Sequence, residues 1–174
     1  MSISIDHLDA QIIALLSENA RRGPVELSAA LGVARNTVQA RIRRLEESGV
    51  LDGFTPRVCL PRAGVGVEAF AALALEQGRL DDVIRELREI PNILEIHATT
   101  GREDLLARVA TQDNAALQTL MQRILAIPGV SHSNTTLCLT TPLSYRVQPL
   151  LDQVTRAAGW GRSTPRPDLG TGKG

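Results

Sequence analysis

The sequence predicts an α+β protein: a small helical domain over residues 1–60, then a ferredoxin-like βαββαβ sandwich over 65–141. Three observations carry this. Apolar residues recur at helical spacing in the first stretch, strand-like and helix-like runs alternate in the second, and the second stretch repeats itself. A hydrophobic fraction of 43% over 174 residues suffices to bury a core.

The first helix is expected over about 6–19, where Leu8, Ile12, Leu15 and Leu16 mark one face with Ile13 beside it. Residues 19–24 break it. A short second helix over 25–31 follows Pro24, which is tolerated at a helix start because the first amides have no intrahelical acceptor. Gly32 ends it. A third helix is expected over about 35–48, stopping at Gly49. Residues 50–60 read as a turn and a short linker strand.

Two apolar stripes organise the second stretch: Leu80, Val83, Ile84, Leu87 and Ile90, then Leu117, Leu120, Met121, Ile124 and Leu125. Each runs into an Ile-Pro step, at Ile90 and again 37 residues later at Ile127. Strands flank them at 67–75, 93–99, 105–111 and 135–141. This order places both helices on one face of an antiparallel sheet; a solenoid would need about three or more repeats. In 67–75 both alternating sets are apolar: Val67, Ala69, Ala71 and Leu73 on one side, Phe70, Ala72 and Ala74 on the other. A sheet wet on one face alternates apolar with polar. The face away from the helices is therefore expected to meet another subunit, the alternative cover being the C-terminal tail. Phe70 and its neighbour Ala71 are read as the outward positions where a charge breaks that assembly.

The third helix buries Val38, Ile42 and Leu45 and turns Asn36, Ala40, Arg43 and Glu47 outward, flanked by Thr37 and Arg44 on one side and Gln39 on the other. From Val33 to Arg44 there are four arginines and no acid. Arg41 lies near the buried edge and reads as structural or phosphate-contacting. A short helix, a Gly-containing turn and a helix with a basic outer face make the helix-turn-helix arrangement of DNA-binding proteins. Arg35, Asn36, Thr37, Gln39, Ala40, Arg43 and Arg44 are its candidate DNA-binding residues. Arg and Asn supply bidentate donors to base edges or phosphates, and Ala40 lets the backbone approach the groove.

Composition narrows the other classes. The 19 basic and 19 acidic residues cancel, which leaves a local basic stripe free to act. Four aromatics cannot build a stacking platform for single strands. The longest apolar run, at 69–75, is far too short to span a membrane. Asp6 and Asp9, with no early Lys or Arg, argue against a secretory signal. Cys59 and Cys138 fit neither a disulfide framework nor zinc spacing; they read as buried thiols of a cytoplasmic protein. His7, His97 and His132 lack a third ligand, so no metal, no cofactor and no enzyme activity are expected.

The stretches L-D-A-Q-I-I-A-L-L-S-E-N-A-R-R and V-E-L-S-A-A-L-G-V-A-R-N-T-V-Q-A-R-I-R-R-L-E-E-S-G-V-L-D-G-F resemble the N-terminal half of the Lrp/AsnC (feast/famine) regulators. The resemblance continues through the βαββαβ half, including T-T-G-R-E-D-L-L at 99–106. It implies a transcriptional regulator whose first part is a winged helix-turn-helix domain that binds double-stranded DNA, and whose homodimers assemble to octamers or larger rings and respond to an amino acid or related small molecule bound between subunits. Ser28 stands where that family usually has Ala. Ala34 stands where a Ser caps the recognition helix, a loss of typically about 1 kcal/mol. The effector loop of the family usually carries an aromatic and often an acid where this chain has Arg102 and Glu103.

Thr100, Gly101, Arg102, Glu103 and Asp104 are the candidate effector-binding residues. Asp104 would face an α-ammonium and Arg102 a carboxylate. The alternative is a plain hairpin turn with solvated charges. Residues 142–174 form a C-terminal extension, with one short helix closed by Gly159 and a Gly/Pro-rich end that reads as disordered. Two other functions stay open. One is an architectural DNA-binding protein of the same fold without an effector. The other, more remote, is a siroheme-decarboxylase-like subunit, whose His-Asn-Tyr type signature is replaced here by His97-Ala98-Thr99.

Overall fold

The computed structural model describes residues 4–159, which form two compact units. Among the described residues the first comprises 4–56 together with 144–159; the second is Arg57–Leu143.

In the first unit, α1 (His7–Glu18), α2 (Pro24–Leu31) and α3 (Arg35–Glu47) close on one core. Leu8, Ile12 and Leu16 of α1 meet Leu27 and Leu31 of α2 and Val38 of α3, with Ile42 and Leu51 packed against them. Helix α1 opens with a capping box. Asp6 accepts from the Asp9 amide at 3.1 Å and Asp9 accepts from the Asp6 amide at 3.0 Å, satisfying two orphan donors. Helix α3 starts at Ala34 without a side-chain cap. A last helix, α4 (Gln148–Thr155), packs on α1.

In the second unit, β1 (Val67–Leu75), α5 (Leu80–Arg88), β2 (Ile93–Ala98), β3 (Leu105–Thr111), α6 (Asn114–Leu125) and β4 (Val130–Leu137) follow one another. The antiparallel sheet has the order β2-β3-β1-β4, the ferredoxin-like arrangement. Ala69, Ala71 and Leu73 are buried against Val83, Leu87, Leu120 and Ile124 of the two helices. The repeated Ile90 and Ile127 both turn into that core as their helices end. After the second, Gly129 has φ +101° and a Cβ there would sit 2.7 Å from the Arg79 side chain, so only glycine fits.

The structure departs from the sequence reading in several places. Residues 50–60 contain no paired strand: extended backbone without a neighbour forms no ladder, and Pro56 has no N–H to give one. No β-wing therefore accompanies the helices among the described residues. Strand β4 starts five residues earlier than expected, at Val130, because its pairing to β1 sets it rather than its own polar pattern. Ala71 faces the helices and is fully buried, so Phe70 and Ala72 are the outward pair. Cys59 is exposed rather than buried, in the unpaired segment. Residues 144–159 of the C-terminal extension pack with the helical unit. The Gly/Pro-rich end beyond 159 lies outside the described residues. No helix among the described residues is long and apolar enough to cross a membrane, and none of their His, Cys, Asp or Glu side chains cluster as a metal site.

Candidate nucleic-acid interface and effector loop

On α3 the arginines divide into two sets. Arg35 and Arg43 are exposed with Asn36, Gln39 and Ala40, and neither arginine forms an ion pair among the described residues. Thr37 is half-buried beside them. Arg41 and Arg44, one turn apart on the other flank, reach back to α1. Arg41 donates to Asp6 and, at 3.1 Å, to Asp9; Arg44 donates to the second oxygen of Asp9. Arg44 therefore points to α1 rather than outward, although its side chain stays 43% exposed and Asp9 is fully buried.

These bonds tie the recognition helix to the start of α1, and being charge-assisted they are stronger than neutral ones. Burial alone would raise the Asp6 pKa. The hydrogen bond and charge of Arg41, together with the Asp9 amide, outweigh it and hold the carboxyl below its ordinary value. Sequence reasoning missed Asp6 and Asp9 as functional residues. Their signal was present as two acids three residues apart at a helix start, facing two arginines three apart on the edge of another helix.

The second candidate site is the β2–β3 loop. Thr100, Gly101, Arg102 and Asp104 are exposed and Glu103 is half-buried. Gly101 has φ +132° and open space where a side chain would stand. The Thr99 hydroxyl donates to the Glu103 carbonyl at 2.7 Å, and the Thr99 amide donates to the Asp104 carbonyl at 2.9 Å, which closes the hairpin. The Asp104 carboxylate accepts from the Leu75 amide at 2.7 Å, and the Asp104 amide donates to the Leu73 carbonyl. Asp104 thus caps the end of β1 rather than its own turn. This fixes one carboxylate oxygen in an exposed position.

Comparison with known proteins fits this architecture. Residues 5–46 match the AsnC-type helix-turn-helix domain and residues 68–148 match the Lrp/AsnC ligand binding domain. An HTH-type transcriptional regulator, FL11, of Pyrococcus horikoshii is 31% identical over 81% of this chain and 93% of its own length. The chain belongs to the Lrp/AsnC family. Another relative, the HTH-type transcriptional regulator Ptr1 of Methanocaldococcus jannaschii, is 29% identical over 79% of this chain and 93% of its own. Among solved structures, AsnC of E. coli superposes with a TM-score of 0.79 at 26% identity, covering 84% of this chain and all of that one. The leucine response regulatory protein LrpA of Mycobacterium tuberculosis gives 0.68 at 29%, covering 80% and 96%. The protein is a DNA-binding transcriptional regulator with a ligand-binding domain, related to regulators rather than to enzymes.

Proposed function

We propose that this regulator reads duplex DNA with the outer face of α3 and changes its assembly when an amino acid or a related small molecule occupies the β2–β3 loop. The division of the arginines carries the first half. Arg41 and Arg44 are engaged by α1, while Arg35, Asn36, Gln39 and Arg43 stand exposed around Ala40 with no acid in the first two turns. Arg43 is the base reader and Arg35 a phosphate contact. Thr37 lies at the edge of that face. Arg44 supports the helix and, through its exposed fraction, adds charge at the rim. Arg43→Ala should weaken specific binding by about 1–3 kcal/mol with far-UV circular dichroism unchanged. Titration of a fluorescent duplex decides it, and wild-type affinity in the Arg43→Ala, Asn36→Ala double variant would remove α3 as the reader.

For the effector, the exposed Asp104 carboxylate meets an α-ammonium and Arg102 meets a carboxylate, with Thr100, Gly101 and Glu103 shaping the loop. Homodimers, joined through the open sheet face and assembled to octamers or more in the cytoplasm, supply the second wall of this site. An effector shifts the assembly only by binding its states unequally. Asp104→Asn keeps an acceptor for the Leu75 amide and loses the charge. It should cost more than tenfold in amino-acid affinity by calorimetry while the melting temperature stays within about 2 °C. If no amino acid binds the wild-type chain, the effector reading fails and an architectural DNA-binding role replaces it.

A further inference from the structure

Helix α4 lies almost wholly beyond residue 148, where the match to the ligand-binding domain ends, yet it packs in the helical unit. Its inner stripe is Gln148, Leu151, Asp152 and Thr155, at helical spacing, and Thr155 is fully buried. The Gln148 side-chain amide donates to the Ala10 carbonyl of α1 at 3.1 Å and to Asp152 at 2.7 Å. Beyond the helix, the Gly159 carbonyl accepts from the His7 amide at 2.9 Å. That amide is the first of α1 and has no intrahelical acceptor. Ala10 and Ile13 are buried on α1 but stand outside the core shared with α2 and α3.

We propose that α4 is a fourth helix of the DNA-binding unit and positions the recognition helix, by holding α1 and with it the Asp6 and Asp9 carboxylates that grip Arg41 and Arg44. The links are continuous. Residues 148–159 fix both the start of α1 and its Ala10 turn. That turn carries the two carboxylates, and the carboxylates orient α3. A helix held from one side by apolar packing alone can roll; charge-assisted bonds from a fixed α1 set its angle. Every residue in these links belongs to the helical unit. The proposal rests on α3 being the DNA reader.

The test uses the full chain and a duplex selected from a random pool by the wild-type protein. Gln148→Glu sets a carboxylate against the Ala10 carbonyl and Asp152, and Thr155→Arg forces a long cation between α1 and α4. Thr155→Arg should weaken binding about tenfold or more, and the slope of log K against log [salt] should become shallower by about one for each phosphate that the tilted helix no longer neutralises. Gln148→Glu should follow in the same direction. Hydrogen exchange of α3 amides should quicken while β1 and β3 keep their protection. Wild-type affinity and slope in both variants overturn the proposal. So does an affinity loss that tracks only the unfolded fraction with the slope unchanged, since a purely stabilising role predicts that result. If Thr155→Arg unfolds the unit, Gln148→Glu decides alone. Arg43→Ala, run in parallel, separates the two levels: if it binds like wild type the α3 reading has failed, and if it alone loses binding only the role of α4 falls.

Discussion

Replacing Asp9 by Ala should destabilise the helical unit by roughly 2–4 kcal/mol, the largest stability effect expected at an exposed-looking helix start. Asp9 is fully buried and its carboxylate accepts from the Asp6 amide, Arg41 and Arg44. Without it Arg41, only 16% exposed, has Asp6 alone, and Arg44 has no carboxylate. Removing one partner of a buried ion pair costs about 3–5 kcal/mol because the other charge stays desolvated. The partial exposure of Arg44 lowers that figure. At about 2–4 °C per kcal/mol for a chain of this size, the melting temperature should fall by about 4–16 °C. Calorimetry checks this, and a shift below about 1 °C would show that solvent already screens the cluster.

The same cluster makes stability depend on acid. Asp6 has a folded-state pKa below its unfolded value, against the opposing pull of burial and because of Arg41 and the Asp9 amide. A group of this kind stabilises fully above the unfolded carboxylate value of about 4 and loses that contribution as pH falls through the lowered folded value. Urea melts of wild type and Asp6→Asn should therefore converge as pH drops below about 4. Parallel curves would exclude Asp6 as a contributor.

How far the sequence revealed this molecule depended on where the information sits. Strands β1 and β3 occupy the residues their apolar runs predict, since central strands are buried by their own composition. The edge strand β4 begins with Val130, Ser131 and His132, a polar pattern with no strand period, and only its register with β1 reveals it. The helix-turn-helix was legible from two apolar stripes, Pro24 and two glycines. The ion cluster was not, because Arg41 and Asp6 lie 35 residues apart and their meeting depends on how α3 crosses α1. Likewise the half-polar stripe of α4 marks a helix without saying which surface it covers. For Asp104 the residue type was legible, but its bond to Leu75 requires the β1–β3 pairing.

On the proposed homodimer joined through the sheet face, Phe70→Glu should leave monomers that remain folded. Phe70 is 38% exposed on the face opposite the helices, flanked by Ala72 and by Leu106 of β3. Burying a Phe side chain contributes about 1.5–3 kcal/mol, and a two-fold interface counts it twice. The substitution removes that gain and adds two like charges to the proposed interface, so the dimer constant should weaken by about 10⁴-fold or more. The monomer accommodates the change. Arg108 sits directly across from position 70, where it already holds Glu68 at 2.6 Å, and a second carboxylate there finds the same guanidinium. Ala71→Glu is the contrasting variant: Ala71 is fully buried under the helices, so a charge there should unfold the sheet domain rather than dissociate it. Light scattering with circular dichroism separates these outcomes. A Phe70→Glu protein that keeps its wild-type mass would mean that subunits meet elsewhere, and the wall proposed for the effector loop would have to come from that other surface.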